Sequence, residues 1–371
     1  MSGLGVAEAT LPVFARHETF HPRHGWFRKA VVGTRESEQI FTADDATVRL
    51  GVGKNMVRAI RFWANAAKVV EPIADSNHPR TPRYRETTLG RVLFSEDGWD
   101  PWLEATASLW VLHWMMLRPP SILPVWWLAL NEFQSIEFSD DDLTRYVKQV
   151  IRGVDGWGEV APSSVKKDVD CFLRTYSPVS GRESRDDNID CPFRVIGLIS
   201  PVPGERRMYR FLVGPKVTLP DEILAFACLD FVGESTRMRT ATLTRLAVDP
   251  GSPGRVFRLN EDSITESLQR LEMAGSLIKV STVAGITQIS WEGQPADLAW
   301  GILSDYFQRA SGSSRVMTSV ARERVHGDTQ PNPNGDVHLD MPNVQIPDTS
   351  DVMARLKLIR RKQEIPLGAA K

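Results

Sequence analysis

The sequence predicts an α+β fold, mainly α-helical, in which two winged-helix-like units flank a helical middle region. Three observations carry this. Apolar residues recur at helical spacing over much of the chain, short β-type runs come in pairs, and a helix–turn–helix followed by two such runs occurs twice. The 371 residues suffice for two or three domains with sizeable cores. Residues 1–98 read as an N-terminal helix-turn-helix or winged-helix-like domain and 99–178 as a helical domain. Residues 179–309 read as an α+β domain holding the second winged-helix-like unit, and 310–371 as a disordered tail with a terminal basic amphipathic helix.

In the first domain, helix signals lie at Trp26–Val31, Ala43–Leu50 and Lys54–Ala67, and a Pro-rich basic stretch from Pro79 to Phe94 reads as a hairpin. Thr42 and Asp45 approximate a capping box. Gly51 can take positive φ and end the first helix of the pair, and Gly53 lets the chain turn into the second. Residues 100–176 read as all-helical. Trp102, Leu109, Leu112 and Met116 recur on one face, Ser139-Asp140-Asp141-Asp142 caps a helix to about Arg152, and Pro162 opens another. Phe193–Ser200 and Met208–Val213 read as paired strands, and Pro220–Val232 as a helix. In the second unit Asn260 is an N-cap, Ile264, Leu268 and Leu271 form a buried stripe, Gly275 is a stop, and the runs Leu277–Thr282 and Ile286–Trp291 follow. A helix from Pro295 to Arg309 closes the folded part. From Ala310 to Ser350, Ser, Gly, Asn, Pro and Asp dominate, which predicts disorder. In Asp351–Glu364, Val352, Leu356 and Ile359 share a helical face among basic residues and are the candidate partner-binding residues.

Charge supplies the functional signal. The whole chain carries −1, yet from Arg49 to Arg91 there are nine Lys/Arg against three Asp/Glu. A recognition helix presents its N-terminal residues to base edges, where Arg reads guanine and Asn reads adenine. Lys54, Asn55, Arg58 and Arg61 fit that role, with Arg80, Arg83 and Arg85 in the wing as phosphate contacts. The second unit carries Glu261, Asp262, Glu266 and Glu272 on its helix and is predicted to pack or bind protein instead.

His17-Glu18-Thr19-Phe20-His21 spells H-E-x-x-H, which holds zinc only on a helix, and Pro22 follows at once; a structured loop with Phe20, Trp26 and Phe27 packed on the first domain is the expectation. Gly51-x-Gly53-Lys54 lacks the earlier glycine and the Ser/Thr of a phosphate loop. No catalytic residue, metal site or cofactor is expected. Three cysteines without C-x-x-C spacing argue for a reducing compartment. No signal peptide is read at Met1–Thr10, and the most apolar run, Ala105–Leu117, is shorter than a span of about 20 residues. A cytoplasmic protein without membrane contact is the expectation.

The passages "RHETFHPRHGWFRKA" and "DDATVRLGVGKNMVRAIRFWANAAKVVE" resemble a bacterial family known as domain of unknown function 4007, and the resemblance covers most of residues 13–300. It implies work beside a phosphoadenosine-phosphosulfate-reductase-like sulfurtransferase and a cysteine desulfurase, in DNA phosphorothioation used for phage defence. It brings no catalytic residues with it. The expected function is a non-catalytic subunit that binds double-stranded DNA and places modification enzymes on it. The alternatives are a protein-binding scaffold of the same machinery, a transcriptional regulator of it, and last a metal-dependent hydrolase using His17, Glu18 and His21.

Overall fold

Trp26–Glu36 (α2, after a short α1 at Val6–Ala9) turns Trp26, Phe27, Ala30 and Val31 inward and is the helix on which the N-terminal region is built. In this computed structural model residues 4–73, 82–178, 191–205, 207–233 and 239–323 are described, without the side chains of 311–323. Among these described residues the fold is α+β, about half helical, with three small antiparallel sheets. Residues 1–303 form one unit and 304–371 another. Helix α3 is Ala46–Leu50, shorter than expected. The expected capping box is absent: Thr42 Oγ1 donates to Gln39 O, and Asp45 makes no side-chain cap. Residues 42–45 turn locally instead, as Thr and Asp do when their side chains or backbones find nearer partners. Gly51 ends α3 at φ +62°, with its own N–H and that of Val52 folded back on Val48 and Thr47 carbonyls. Lys54–Ala66 is α4. Strands β1 (Val70–Ile73) and β2 (Arg83–Glu86) then pair, with Val70 opposite Glu86. The paired strands are thus Val70–Ile73 and Arg83–Glu86, while Thr88–Phe94, expected in the hairpin, is helix α5, capped by Thr87 Oγ1 accepting from Gly90 N.

The middle centres on α6 (Thr106–Leu117), in which every residue from Ala107 to Leu117 is buried. A helix apolar all round belongs inside a core. Trp102 precedes α6 and is exposed, so it is not part of that helix's buried face. Helix α7 (Pro124–Trp127) runs into a π-turn, Leu128–Glu132. The all-helical expectation is corrected by β3 (Glu137–Ser139). Ser139 then caps α8 (Asp140–Arg152) in a complete capping box with Asp142. Helix α9 is Pro162–Tyr176. Pro192–Ile196 is a 3₁₀ turn, not strand, opened by Pro192, whose fixed φ suits the first turn of a helix. The sheet here has β5 (Met208–Phe211) between β3 and β4 (Ile199–Pro201).

The last part of this unit runs α10 (Asp221–Gly233), β6 (Thr240–Thr242), α11 (Leu243–Val248), α12 (Pro253–Phe257) and α13 (Glu261–Met273), then β7 (Ile278–Val283) and β8 (Ile286–Trp291). Strand β8 lies between β6 and β7. Asn260 Oδ1 caps α13 at Ser263 N, as expected. Helix α14 runs Pro295–Glu323. It continues past Ala310 to Glu323, where the sequence predicts disorder. Val352, Leu356 and Ile359 lie outside the described residues. Trp63, Trp110, Trp114, Trp126 and Trp127 are fully buried, so these tryptophans are core rather than stacking platform. Cys171, Cys191 and Cys228 are buried and unbridged. Among the described residues no helix is long and apolar enough to cross a membrane.

Candidate nucleic-acid interface

Helix α4 is amphipathic, and its first turns are the more exposed. Its second half is enclosed, with Ala59, Ile60, Phe62, Trp63, Ala64 and Ala66 buried. Its first turns leave Lys54, Asn55 and Arg58 in solvent, and Arg61 is half-buried. The start of a helix carries unpaired N–H groups and the positive end of the macrodipole, so anions are favoured there. Lys29 of α2 adds to this end: its Nζ donates to Leu50 O at 2.7 Å, fixing the turn between α3 and α4. Sequence reading missed Lys29, which lies a helix away in the chain. Its pairing with a C-terminal carbonyl of α3 leaves no local signal.

Among the described residues no carboxylate pairs with Lys54 or Arg61; Arg58 Nη1 lies 3.6 Å from Glu18 Oε1. The strand arginines are engaged more closely. Arg83 pairs with Glu38, and Arg85 Nη2 lies 2.6 Å from Glu71 Oε1. Arg91 Nε lies 3.1 Å from Glu86 Oε1, which Arg35 shares through the other oxygen. Exposed pairs of this kind contribute about 0–1 kcal/mol, so a phosphate can replace the carboxylate at little cost. Arg80 lies outside the described residues. Burial raises the phenol of Tyr84 on β2, with the nearby Arg61 charge acting against it. Lys54, Asn55 and Arg58 are thus brought together on one exposed turn and a half, with Arg61 behind them beside the hairpin.

The base under α4 is closely tied by hydrogen bonds and packed rings. Phe20 O accepts from Trp63 Nε1 at 2.9 Å and from the Cys171 thiol at 3.4 Å. His17 Nε2 lies 2.6 Å from Asp168 Oδ1 of α9, and Ala15 N donates to the same carboxylate. Rings of Phe62, Trp63 and Trp126 surround that imidazole at 5.9–6.3 Å. Residues 15–19 are turns with positive φ at Ala15, Glu18 and Thr19, so His17 and His21 do not share a helical face as zinc chemistry requires. The motif is the packed loop expected of it, with Trp26 and Phe27 buried and Phe20 at 6.2 Å from Trp26. Its tie to Asp168, about 150 residues away in the chain, has no signature in sequence.

The second helix-and-hairpin unit presents a different face. Asp262 and Glu266 are exposed on α13, and Arg270 is held in two bonds by Asp221, at 2.8 and 2.7 Å. Glu272 accepts from Val280 N on β7. This leaves the helix acidic toward solvent, which disfavours phosphate.

Residues 14–307 match the family described as "Protein of unknown function (DUF4007)". Two solved structures are similar. One, described as a magnesium ion-bound SspB crystal structure, is 36% identical, with a TM-score of 0.78 over 82% of this chain and 90% of that one. The other, described as an SspB crystal structure, is 37% identical with a TM-score of 0.77 over the same shares. Among curated protein sequences none matches.

Proposed function

The chain belongs to the DUF4007 family, and on that footing we propose that it is a non-catalytic DNA-binding subunit of a bacterial phosphorothioation and phage-defence machinery, placing modification enzymes on duplex DNA. The observation that carries this is the exposed cationic start of α4 on a buried aromatic base, with Lys54, Asn55 and Arg58 in solvent. We read α2, α3, α4 and the β1–β2 hairpin as one winged-helix-like unit, with α4 in the major groove and the hairpin along the backbone. The unit from α10 to β8 is the second of the kind, its β6–β8–β7 order matching that architecture, and its acidic α13 suits a protein partner. The sulfurtransferase and cysteine desulfurase implied by the resemblance are the proposed enzymes, and Val352, Leu356 and Ile359 remain candidate contacts to them. A cytoplasmic location goes with this reading. Fluorescence anisotropy on labelled duplex tests it. Wild type should bind with an affinity that falls steeply with salt, and the Lys54→Ala/Arg58→Ala variant should bind roughly tenfold or more weakly. Equal binding by the two would leave the scaffold role instead.

A second reading rests on the magnesium ion named for one of the similar SspB structures. Among the described residues no group of three His, Cys, Asp or Glu side chains could hold a metal. These residues do not fit a closed protein cage, and magnesium commonly takes one or two carboxylates with waters and phosphate oxygens. On this reading the ion is held only with DNA present, so calorimetry should detect magnesium uptake by the protein–duplex complex beyond the sum of its parts. Conversion of supercoiled plasmid to open circles by pure protein in magnesium would overturn the non-catalytic reading.

A further inference from the structure

Between the 3₁₀ turn at Pro192–Ile196 and the segment after β5 lies an open cleft of about 240 Å³, lined by Val195, Gly197, Leu212, Val213, Lys216 and Val217 among others. Four of these side chains are apolar and stand in water: Val195 is 52% exposed, Leu212 39%, Val213 53%, and Val217 is wholly exposed. Scattered apolar residues need no explanation, but a group around one concavity marks a contact site.

The charge beside the cleft is of one sign. The Lys216 ammonium donates to Leu212 O and is held at the cleft wall. Arg258 stands behind it, buried, with its guanidinium 3.8 Å from the Phe211 ring centre and Nη2 donating to Ala129 O. Arg258 Nε is buried with no hydrogen-bond partner among the described residues. Burial, then the charge of Arg258, pushes Lys216 down to about 8; burial, then Arg255, pushes Arg258 down to about 9. No carboxylate lines the cleft or pairs with either cation among the described residues. Lys216, lowered by burial and by the Arg258 charge, has no counter-ion among the described residues, and an anion brought to the cleft would relieve it.

We propose that this cleft docks a short apolar segment of a partner protein that also carries an acidic side chain. The acidic group sits on Lys216 Nζ, which has N–H donors left over after Leu212 O. The apolar side chains of the segment cover Val195, Val213 and Val217. Nucleic acid would meet the charge but offers its phosphate backbone nothing to match four aliphatic side chains. The site is built from residues flanking β4 and β5 and shares none with α4, so it stands whether or not α4 binds DNA.

The test uses the full chain and two fluorescein-labelled, N-acetylated peptides, one alternating leucine with glutamate and one alternating leucine with lysine. By anisotropy the acidic peptide should bind and the basic one should not. Lys216→Glu and, separately, Val217→Asp should each weaken binding roughly tenfold or more. Both side chains reach solvent, so circular dichroism and Tm should hold, and duplex DNA affinity should be unchanged. Equal binding of the two peptides, no binding of the acidic peptide below about 1 mM, or unaltered binding by both variants would each overturn the proposal. So would displacement of the peptide by duplex DNA, which would give the surface to nucleic acid.

Discussion

His113 shows how a single buried side chain sets a property of the protein. Its Nδ1 accepts from the Tyr176 hydroxyl at 2.8 Å and its Nε2–H donates to Val256 O at 2.9 Å. The carbonyl can only accept, so the neutral ring carries its proton on Nε2. Burial, set against the Val256 bond, lowers this imidazole to about 4 from an ordinary 6.5. The neutral form is therefore favoured in the fold. Its stabilisation is complete above about pH 6.5 and is lost as pH falls toward 4, because the unfolded chain takes up the proton first. Urea unfolding should show a loss of about 3 kcal/mol between pH 7 and pH 4, and His113→Gln should remove most of that slope. Arg58 is the contrasting case. Its pair with Glu18 is long and half in solvent, so Arg58→Ala should change stability by no more than about 0.5 kcal/mol. The same substitution should lower the salt slope of duplex binding by about one. A large loss of stability without a change in slope would make Arg58 structural.

At the scale of elements, two glycines near α4 separate backbone freedom from lack of room. Gly51 is left-handed at φ +62°, and a Cβ there would be 3.7 Å from Lys29 Nζ, so Gly51→Ala meets conformational strain alone, about 1 kcal/mol. At Gly90 of α5 a Cβ would fall 2.0 Å from Val69 O. Gly90→Ala must push α5 off the backbone at Val69, and about 3 kcal/mol or more is expected. Chemical denaturation of both variants, compared by midpoint at equal m-value, checks the order. The pattern of these elements explains what was legible. Amphipathic α4, capped α8 and α13, and the turn at Gly51 are written in local residue choices, and the structure has them within a few residues. The π-turn after α7, the short β3 and the helix at Thr88–Phe94 depend on neighbours instead. Strand β3 pairs with β5, Glu137 opposite Arg210, Phe138 opposite Tyr209 and Ser139 opposite Met208, far along the chain. The cationic start of α4 was readable because the helix supplies its own residues. Lys29 and the carboxylate partners of the strand arginines were not, since Glu38 and Glu71 meet Arg83 and Arg85 only once the hairpin has formed.

For residues 1–303 as a whole, the buried tryptophans and the His17–Asp168 contact join the N-terminal helices to α9. Asp168 is nearly buried, and burial raises its carboxyl against the opposing effect of His17. Asp168→Ala strips acceptors from both His17 and Ala15 N, and a loss of about 1–3 kcal/mol is expected. Tryptophan fluorescence and far-UV circular dichroism should still report one coincident transition. A variant that unfolds in two steps would show the N-terminal helices to be separable. The Cys171 thiol bonded to Phe20 O has a bearing on time as well as on stability. Burial holds the Cys171 and Cys228 thiols well above their ordinary range, so neither sulfur attacks a reagent while its surroundings stay closed. Each is then a clock for local opening. Cys171 marks the release of the carbonyl that also holds Trp63 under α4, and Cys228 marks the opening of α10. Duplex DNA that braces α4 should slow alkylation at Cys171 and leave the rate at Cys228 alone, so mass spectrometry of the two labelled peptides would time the gripping of DNA from inside the core.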